Sequence, residues 1–317
     1  MRLRIMTGSE QLPLYKLIEA QIAKKLIWKI GEKSYRPGLK TTSLTFSNDN
    51  IKFKVEESVR GDDIFIIQPN YPNQNKRIME LLIMIDTLKH ASAGRITVIL
   101  PYYPYCRSDK RGESRTSITA RLLADLLQTA GVDRAMFMHL HSPQTQGFFR
   151  IPTDHLVPRE IIYKYLKEKV PFNETTLVAP DSGSSKMVTE YAEMCQLPVA
   201  YMSKIRVDDT ENPQITSLVG NVKDRTCIIL DDEIASGKSM IKAAEVLKIN
   251  GAREIHACAI HGVLTKDAIG DMKKSPITKI HVTNTIWRPE IDYIDEFIQT
   301  IDVSSTFVEA IKRIHFE

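Results

Sequence analysis

Short apolar runs rich in β-branched residues alternate along the chain with longer segments in which apolar residues recur every three or four positions. The runs DIFIIQ (63–68), RITVILPYY (95–103), RAMFMHL (134–140), TTLVAP (175–180), RTCIIL (225–230) and EIHACAIH (254–261) predict strands. Segments such as LLADLLQTAG and IKAAEVLKING predict amphipathic helices that close on a glycine. Strand and helix in alternation indicate an α/β protein with mainly parallel sheets. A weak internal repeat points to two domains: LLADLLQTAGVDRAMFMHLH and IKAAEVLKINGAREIHACAIH share a helix, a glycine, a strand and a final histidine. His141 and His261 then occupy equivalent places. The domain boundary is expected near Pro152 to Pro158, giving domains 1–152 and 153–317.

Composition adds exclusions. The 317 residues carry 43 basic and 39 acidic side chains, a net charge of +4 that is too balanced to argue for nucleic acid. Cys106, Cys195, Cys227 and Cys258 are scattered and form no CxxC, so neither a zinc site nor a disulfide framework is indicated. The N-terminal MRLRIMTGSEQ lacks the apolar core of a signal peptide, and no run reaches the length of a membrane span. A cytoplasmic protein with reduced thiols is expected.

The candidate chemistry centres on DDEIASGKS (231–239), which ends in the Gly-Lys-Ser of a nucleotide-binding P-loop. A P-loop also needs a glycine five residues before Gly237, and position 232 is an aspartate. Instead, two carboxylates, Asp231 and Asp232, close an apolar strand just ahead of a helix start. Carboxylates grip sugar hydroxyls or Mg²⁺ and free backbone donors hold a phosphate, so a phosphorylated sugar suits both. Taken alone, an acidic turn with Ser236 or Ser239 as N-cap explains the same letters. Other predicted strand ends carry similar chemistry: Arg107, Lys110, Arg111 and Arg115 after one strand, His139 and His141 after another, Asp181 and Lys186 after a third.

These segments, with ESVRGDDIFIIQ, MELLIMIDTLKHASAGRITVILPYYPY, ITARLLADLLQTAGVDR, QTQGFF, VGNVKDR and VTNTI, resemble in order and over most of the chain the ribose-phosphate diphosphokinases, also called phosphoribosyl pyrophosphate synthetases. The resemblance implies two stacked phosphoribosyltransferase-like domains. The N-terminal one would serve ATP and the C-terminal one ribose 5-phosphate, leaving the final helix free to pack on the N-terminal domain. It implies transfer of the diphosphoryl group of ATP to ribose 5-phosphate, giving phosphoribosyl pyrophosphate and AMP. By the same resemblance Asp231 and Asp232 would hold the ribose hydroxyls, and Ser236, Gly237, Lys238 and Ser239 the 5-phosphate. Asp181 would help position the ribose or its Mg²⁺, Arg107 and His141 would meet the ATP phosphates, and Phe46 and Asn48 would reach the adenine held by a neighbouring subunit. Lys204 and Arg206 would be the catalytic cations of a loop, and dimers building a hexamer are expected.

The departures from the family pattern bear on the metal. His139-Leu140-His141 replaces the usual Asp-Leu-His, and Arg150 stands where an acid is frequent. Residues i and i+2 of a strand share a face, so His139 and His141 would favour a softer divalent metal such as Mn²⁺ over Mg²⁺, with Asp154 as a carboxylate ligand. The chain ends at VEAIKRIHFE, before a tail that many members carry, and family control by ADP and phosphate is not expected to carry over. A non-catalytic regulatory paralogue assembling with active subunits is the alternative reading. A phosphoribosyltransferase is a third, lacking the ATP half.

Overall fold

Each of the six apolar runs becomes a parallel strand. Strands of parallel sheets are covered on both faces, so they read as continuous apolar runs rather than as alternation. The computed structural model of the chain describes residues 1–9, 13–30, 36–205, 214–265, 267–287 and 296–316. It divides into a first unit, Met1–Val157 with Thr285–Trp287 and Val303–Glu317, and a second, Pro158–Asn284 with Arg288–Asp302.

The first unit begins with β1 (Leu3–Thr7), α1 (Pro13–Ile30) and a hairpin of β2 (Thr41–Thr45) and β3 (Ile51–Val55). There follow β4 (Asp63–Ile67), α2 (Gln74–His90), β5 (Arg95–Leu100), α3 (Thr119–Ala130), β6 (Arg134–Met138) and β7 (Thr153–Leu156). The sheet order is β1-β4-β5-β6-β7, parallel throughout, and the antiparallel hairpin stands apart from it. The unit extends to Val157 because β7 pairs with β6 and forms the edge of this sheet. α3 stops at Gly131, which takes φ 106° and returns its N–H to the last turn. That left-handed backbone angle favours glycine, and a Cβ there would also displace the Lys89 side chain, whose Cε would lie 2.6 Å away.

The second unit contains α4 (Arg159–Lys169), β8 (Thr175–Ala179), α5 (Ser185–Cys195), β9 (Val199–Ile205), β10 (Gln214–Val219), β11 (Thr226–Ile234), α6 (Lys238–Ile249), β12 (Glu254–Gly262), α7 (Ala268–Lys273), β13 (Lys279–Thr283) and β14 (Ile298–Ile301). Its sheet runs β10-β9-β8-β11-β12-β13-β14, and only the β9–β10 pair is antiparallel. Cys227 to Leu230, Ala257 to Ile260 and Val178 are fully buried along its centre. The last helix, α8 (Ser304–Phe316), belongs to the first unit. Buried Asp63 at the start of β4 accepts hydrogen bonds from Arg95 Nε (2.8 Å) and from His315 Nδ1 (2.6 Å), and Arg95 also donates to the Ile314 carbonyl at 2.7 Å. No helix among the described residues is long and apolar enough to cross a membrane.

Candidate active site

In the second unit the two adjacent carboxylates lie within β11, which continues past them to Ile234, with Asp231 level with Ala259 of β12. The turn that follows is braced from the far side of β12. Leu264 N donates to the Ile234 carbonyl at 2.9 Å, and Thr265 N donates to that of Ala235 at 3.0 Å. Gly237 then takes φ 73°, and a Cβ at that position would come within 2.7 Å of Met272 Sδ. This glycine is the N-cap of α6 and brings no side-chain cap. Neither Ser236 nor Ser239 caps the helix, so the first-turn N–H groups are available to an anion. Ser236, Lys238 and Ser239 are exposed around this turn, and Gly237 is buried.

Burial pushes the Asp231 carboxyl up, to about 8, and the negative charges of Asp232 and Asp181 add to the effect. Asp232 N donates to Asp231 Oδ1 at 2.9 Å. Asp181 follows β8, where its Oδ1 accepts Gly183 N (3.0 Å) and Ser184 N (3.3 Å) at the start of α5. Without ligand the three acids repel one another, and a divalent cation or a set of hydroxyl donors relieves that repulsion. The raised value has a consequence for stability. Between the unfolded pKa of about 4 and the folded pKa, the folded protein binds more protons than the unfolded one. The metal-free protein should therefore lose stability at this group as pH rises from about 4 towards 8. Asp231→Asn should flatten that slope and raise the melting temperature at pH 8, and thermal melts across this range check both.

In the first unit, Arg107 is exposed on the loop after β5. That loop is anchored by Tyr103, whose hydroxyl donates to the Ala120 carbonyl at 2.8 Å. β6 ends at Met138, and His139 takes a left-handed backbone with φ 38°, so strand alternation does not extend to His141. His139 is half-buried and His141 exposed. The repeat is inexact here as well: His261 lies inside β12 and is buried, whereas His141 lies beyond the end of its strand.

Asp154 does not join this group. It pairs with Met136 in register and makes an ion pair with Arg134 at 2.8 Å, on the face of the sheet opposite to His155. His155 is the residue that meets His139. Their rings are 5.9 Å apart, and Leu140 N donates to His155 Nε2 at 2.9 Å. Burial lowers the pKa of His155, which keeps the ring neutral and able to accept that bond. Sequence reading missed this residue by one position, because the β6–β7 register decides which of the two faces His139. Among the described residues no group of three or more His, Cys, Asp or Glu side chains is placed to hold a metal ion. The structure does not bring Asp154 into one cluster with His139 and His141.

Phe46 and Asn48 form the hairpin tip, where Phe46 N donates to the Asn50 carbonyl at 2.9 Å and Asp49 takes φ 64°. Phe46 is 45% exposed, an aromatic ring held out on a polar turn. Lys204 lies near the end of β9, but its side chain and all of Arg206 lie outside the described residues.

Known proteins match this chain over nearly its full length. Residues 6–131 fit the model of the N-terminal domain of ribose phosphate pyrophosphokinase, and residues 202–317 that of the phosphoribosyl synthetase-associated domain. A ribose-phosphate pyrophosphokinase of Caldanaerobacter subterraneus subsp. tengcongensis is 40% identical over 313 residues, covering 99% of this chain and 95% of that protein. One from Clostridium perfringens is 38% identical over 315 residues, covering 99% and 94%. The crystal structure of phosphoribosylpyrophosphate synthetase from Mycobacterium smegmatis superimposes with a TM-score of 0.88 at 33% identity, covering 99% of each chain. Nothing in these matches favours a non-catalytic paralogue. The chain belongs to the ribose-phosphate pyrophosphokinase family.

Proposed function

We propose that the protein transfers the diphosphoryl group of ATP to the C1 hydroxyl of ribose 5-phosphate. The hydroxyl oxygen bonds to the β-phosphorus while the bond from that phosphorus to the oxygen bridging the α-phosphorus breaks. AMP leaves with the bridging oxygen, and the hydroxyl proton passes to solvent. The observation that carries this reading is the pair Asp231 and Asp232, set in a central strand directly ahead of a helix start with no side-chain cap. The carboxylates accept the ribose hydroxyls, and the N–H groups and hydroxyls of residues 236–239 take the 5-phosphate. Arg107 and His141 attract the ATP phosphates, Phe46 and Asn48 reach the adenine held by a neighbouring subunit, and Lys204 and Arg206 offset the charge that builds on the transferred group.

Mg²⁺ keeps most of its waters and takes one or two carboxylates together with phosphate oxygens. The acids around Asp231 fit such an ion. When bound, Mg²⁺ neutralises phosphate charge and orients the sugar. In the first unit a metal would arrive on the nucleotide rather than in a protein cage. Self-association into dimers that build a hexamer and a cytoplasmic location follow from the family reading. The four buried thiols accord with a reducing compartment. Release of AMP from ATP that depends strictly on ribose 5-phosphate tests the activity, and its absence under Mg²⁺ and Mn²⁺ alike would overturn it.

His139 permits a narrower test. Changing His139→Asp places a hard oxygen donor beside the nucleotide phosphates, and the ratio of activity with Mg²⁺ to activity with Mn²⁺ should rise several-fold. An unchanged ratio would remove His139 from the metal's surroundings.

A further inference from the structure

Glu80 of α2 is 1% exposed, yet it carries a charge and meets three separate parts of the first unit. Its Oε1 accepts Ser9 N at 2.8 Å, from the segment after β1, and Ser43 Oγ at 3.0 Å, from β2 of the hairpin. Its Oε2 accepts Gln68 Nε2 at 3.2 Å and lies 3.4 Å from Arg77 Nη1, which also donates to Ser9 Oγ at 2.8 Å. Gly8 makes this approach possible, because a Cβ there would stand 2.5 Å from Glu80 Oε2. Burial alone pushes the Glu80 carboxyl up, but the bonds from Ser9, Gln68 and Ser43 outweigh it and hold the group below its ordinary range. The site is therefore built for the carboxylate form.

The joint reaches the hairpin directly, through Ser43. Among the described residues β2 and β3 pair only with each other, and β2 is exposed or half-exposed along its length. Phe53 on β3, opposite Ser43 in register, is the buried member of the hairpin. A cavity of about 330 Å³, lined by Ser9, Tyr15, Leu39, Thr41 and Ser43, adjoins β2. Ser43 lies three residues, roughly 10 Å of extended chain, from Phe46.

We propose that Glu80 is a positioning residue for the nucleotide: it ties β2 to α2 and to the segment after β1, and so fixes where Phe46 and Asn48 are presented. This rests on the reading of the hairpin tip as the adenine contact. Glu80→Gln keeps the shape and loses the charge, Ser43→Ala removes one bond, and Ser43→Thr keeps the hydroxyl. A lost hydrogen bond to a charged group corresponds to roughly a tenfold or larger change in an equilibrium. Amide exchange across residues 41–55 should accelerate by about that factor in Glu80→Gln and Ser43→Ala and stay unchanged in Ser43→Thr. KM for ATP should rise about threefold to tenfold in the first two variants, while KM for ribose 5-phosphate stays within about twofold. Exchange that does not change in either variant overturns the anchor. Faster exchange with unchanged KM for ATP overturns the link to the nucleotide. Phe46→Ala, measured in parallel, tells the two failures apart: if it too leaves KM for ATP unchanged, the adenine reading of the hairpin fails, and if it raises KM, only the role of Glu80 fails. Ser43→Ala carries the test by itself if Glu80→Gln does not fold.

Discussion

Asparagine at both 231 and 232 is expected to lower kcat/KM for ribose 5-phosphate by roughly three orders of magnitude, because each hydrogen bond to a charged group contributes about 1.5–3 kcal/mol and two are weakened together. ATP affinity, measured by calorimetry without the sugar, should change less than about threefold, since the loss falls on groups that do not touch the nucleotide. The fold should not suffer. Asp231 is half-buried beside Asp232 and feels Asp181, so removing its charge relieves the unliganded protein. The combination of a more stable protein with a nearly lost sugar substrate is the signature of a site that accepts native-state repulsion for the sake of its ligand. A P-loop would behave in the opposite way. Lost ATP binding with intact ribose 5-phosphate binding would show that the Gly-Lys-Ser is part of a nucleotide site after all.

The second large effect is expected at Lys204 and Arg206. Diphosphoryl transfer asks the protein for alignment and for charge near the transferred phosphoryl oxygens, and little covalent chemistry remains. Removing one such stabilising group costs about 3–4 kcal/mol of transition-state energy, or roughly two to three orders of magnitude in kcat. Lys204→Ala and Arg206→Ala should each show that loss, with the dissociation constant of ribose 5-phosphate within a few-fold of wild type. Single-turnover measurements separate the two quantities. Variants that turn over at near wild-type rates would take both residues out of the catalytic step.

How much of this was legible depends on burial and on neighbours. The strands at the centre of each sheet announce themselves as apolar runs because both faces are covered: DIFII, RITVIL, RAMFM, TTLVA and TCIIL are all of this kind. Edge strands do not. β7 is TDHL and β14 is IQTI, short and mixed, and β2 is TTSLT on a largely exposed hairpin. The paired acids before α6 could be found because they are adjacent in sequence and end an apolar run. Asp154 could not be judged the same way, since whether it or His155 faces His139 depends on pairing register, and a shift of one residue exchanges the two faces of a strand. The Glu80 joint was out of reach for a similar reason. Ser9, Ser43, Gln68 and Glu80 are distant in sequence, and nothing local marks them as partners.

The placement of α8 affects how this protein is made. The helix carries His315 to the buried carboxylate of Asp63 and sits with α1, so a segment beyond residue 300 completes a hydrophobic core begun at residue 3. During synthesis the second unit, lying almost wholly between those points in the chain, emerges from the ribosome while the first still lacks a wall. Domains that follow one another simply along a chain mature in order of appearance. Here the half that starts first finishes last, and contacts of such long sequence separation form slowly. The nascent first unit thus waits for α8 with an apolar face uncovered while the second unit is being made.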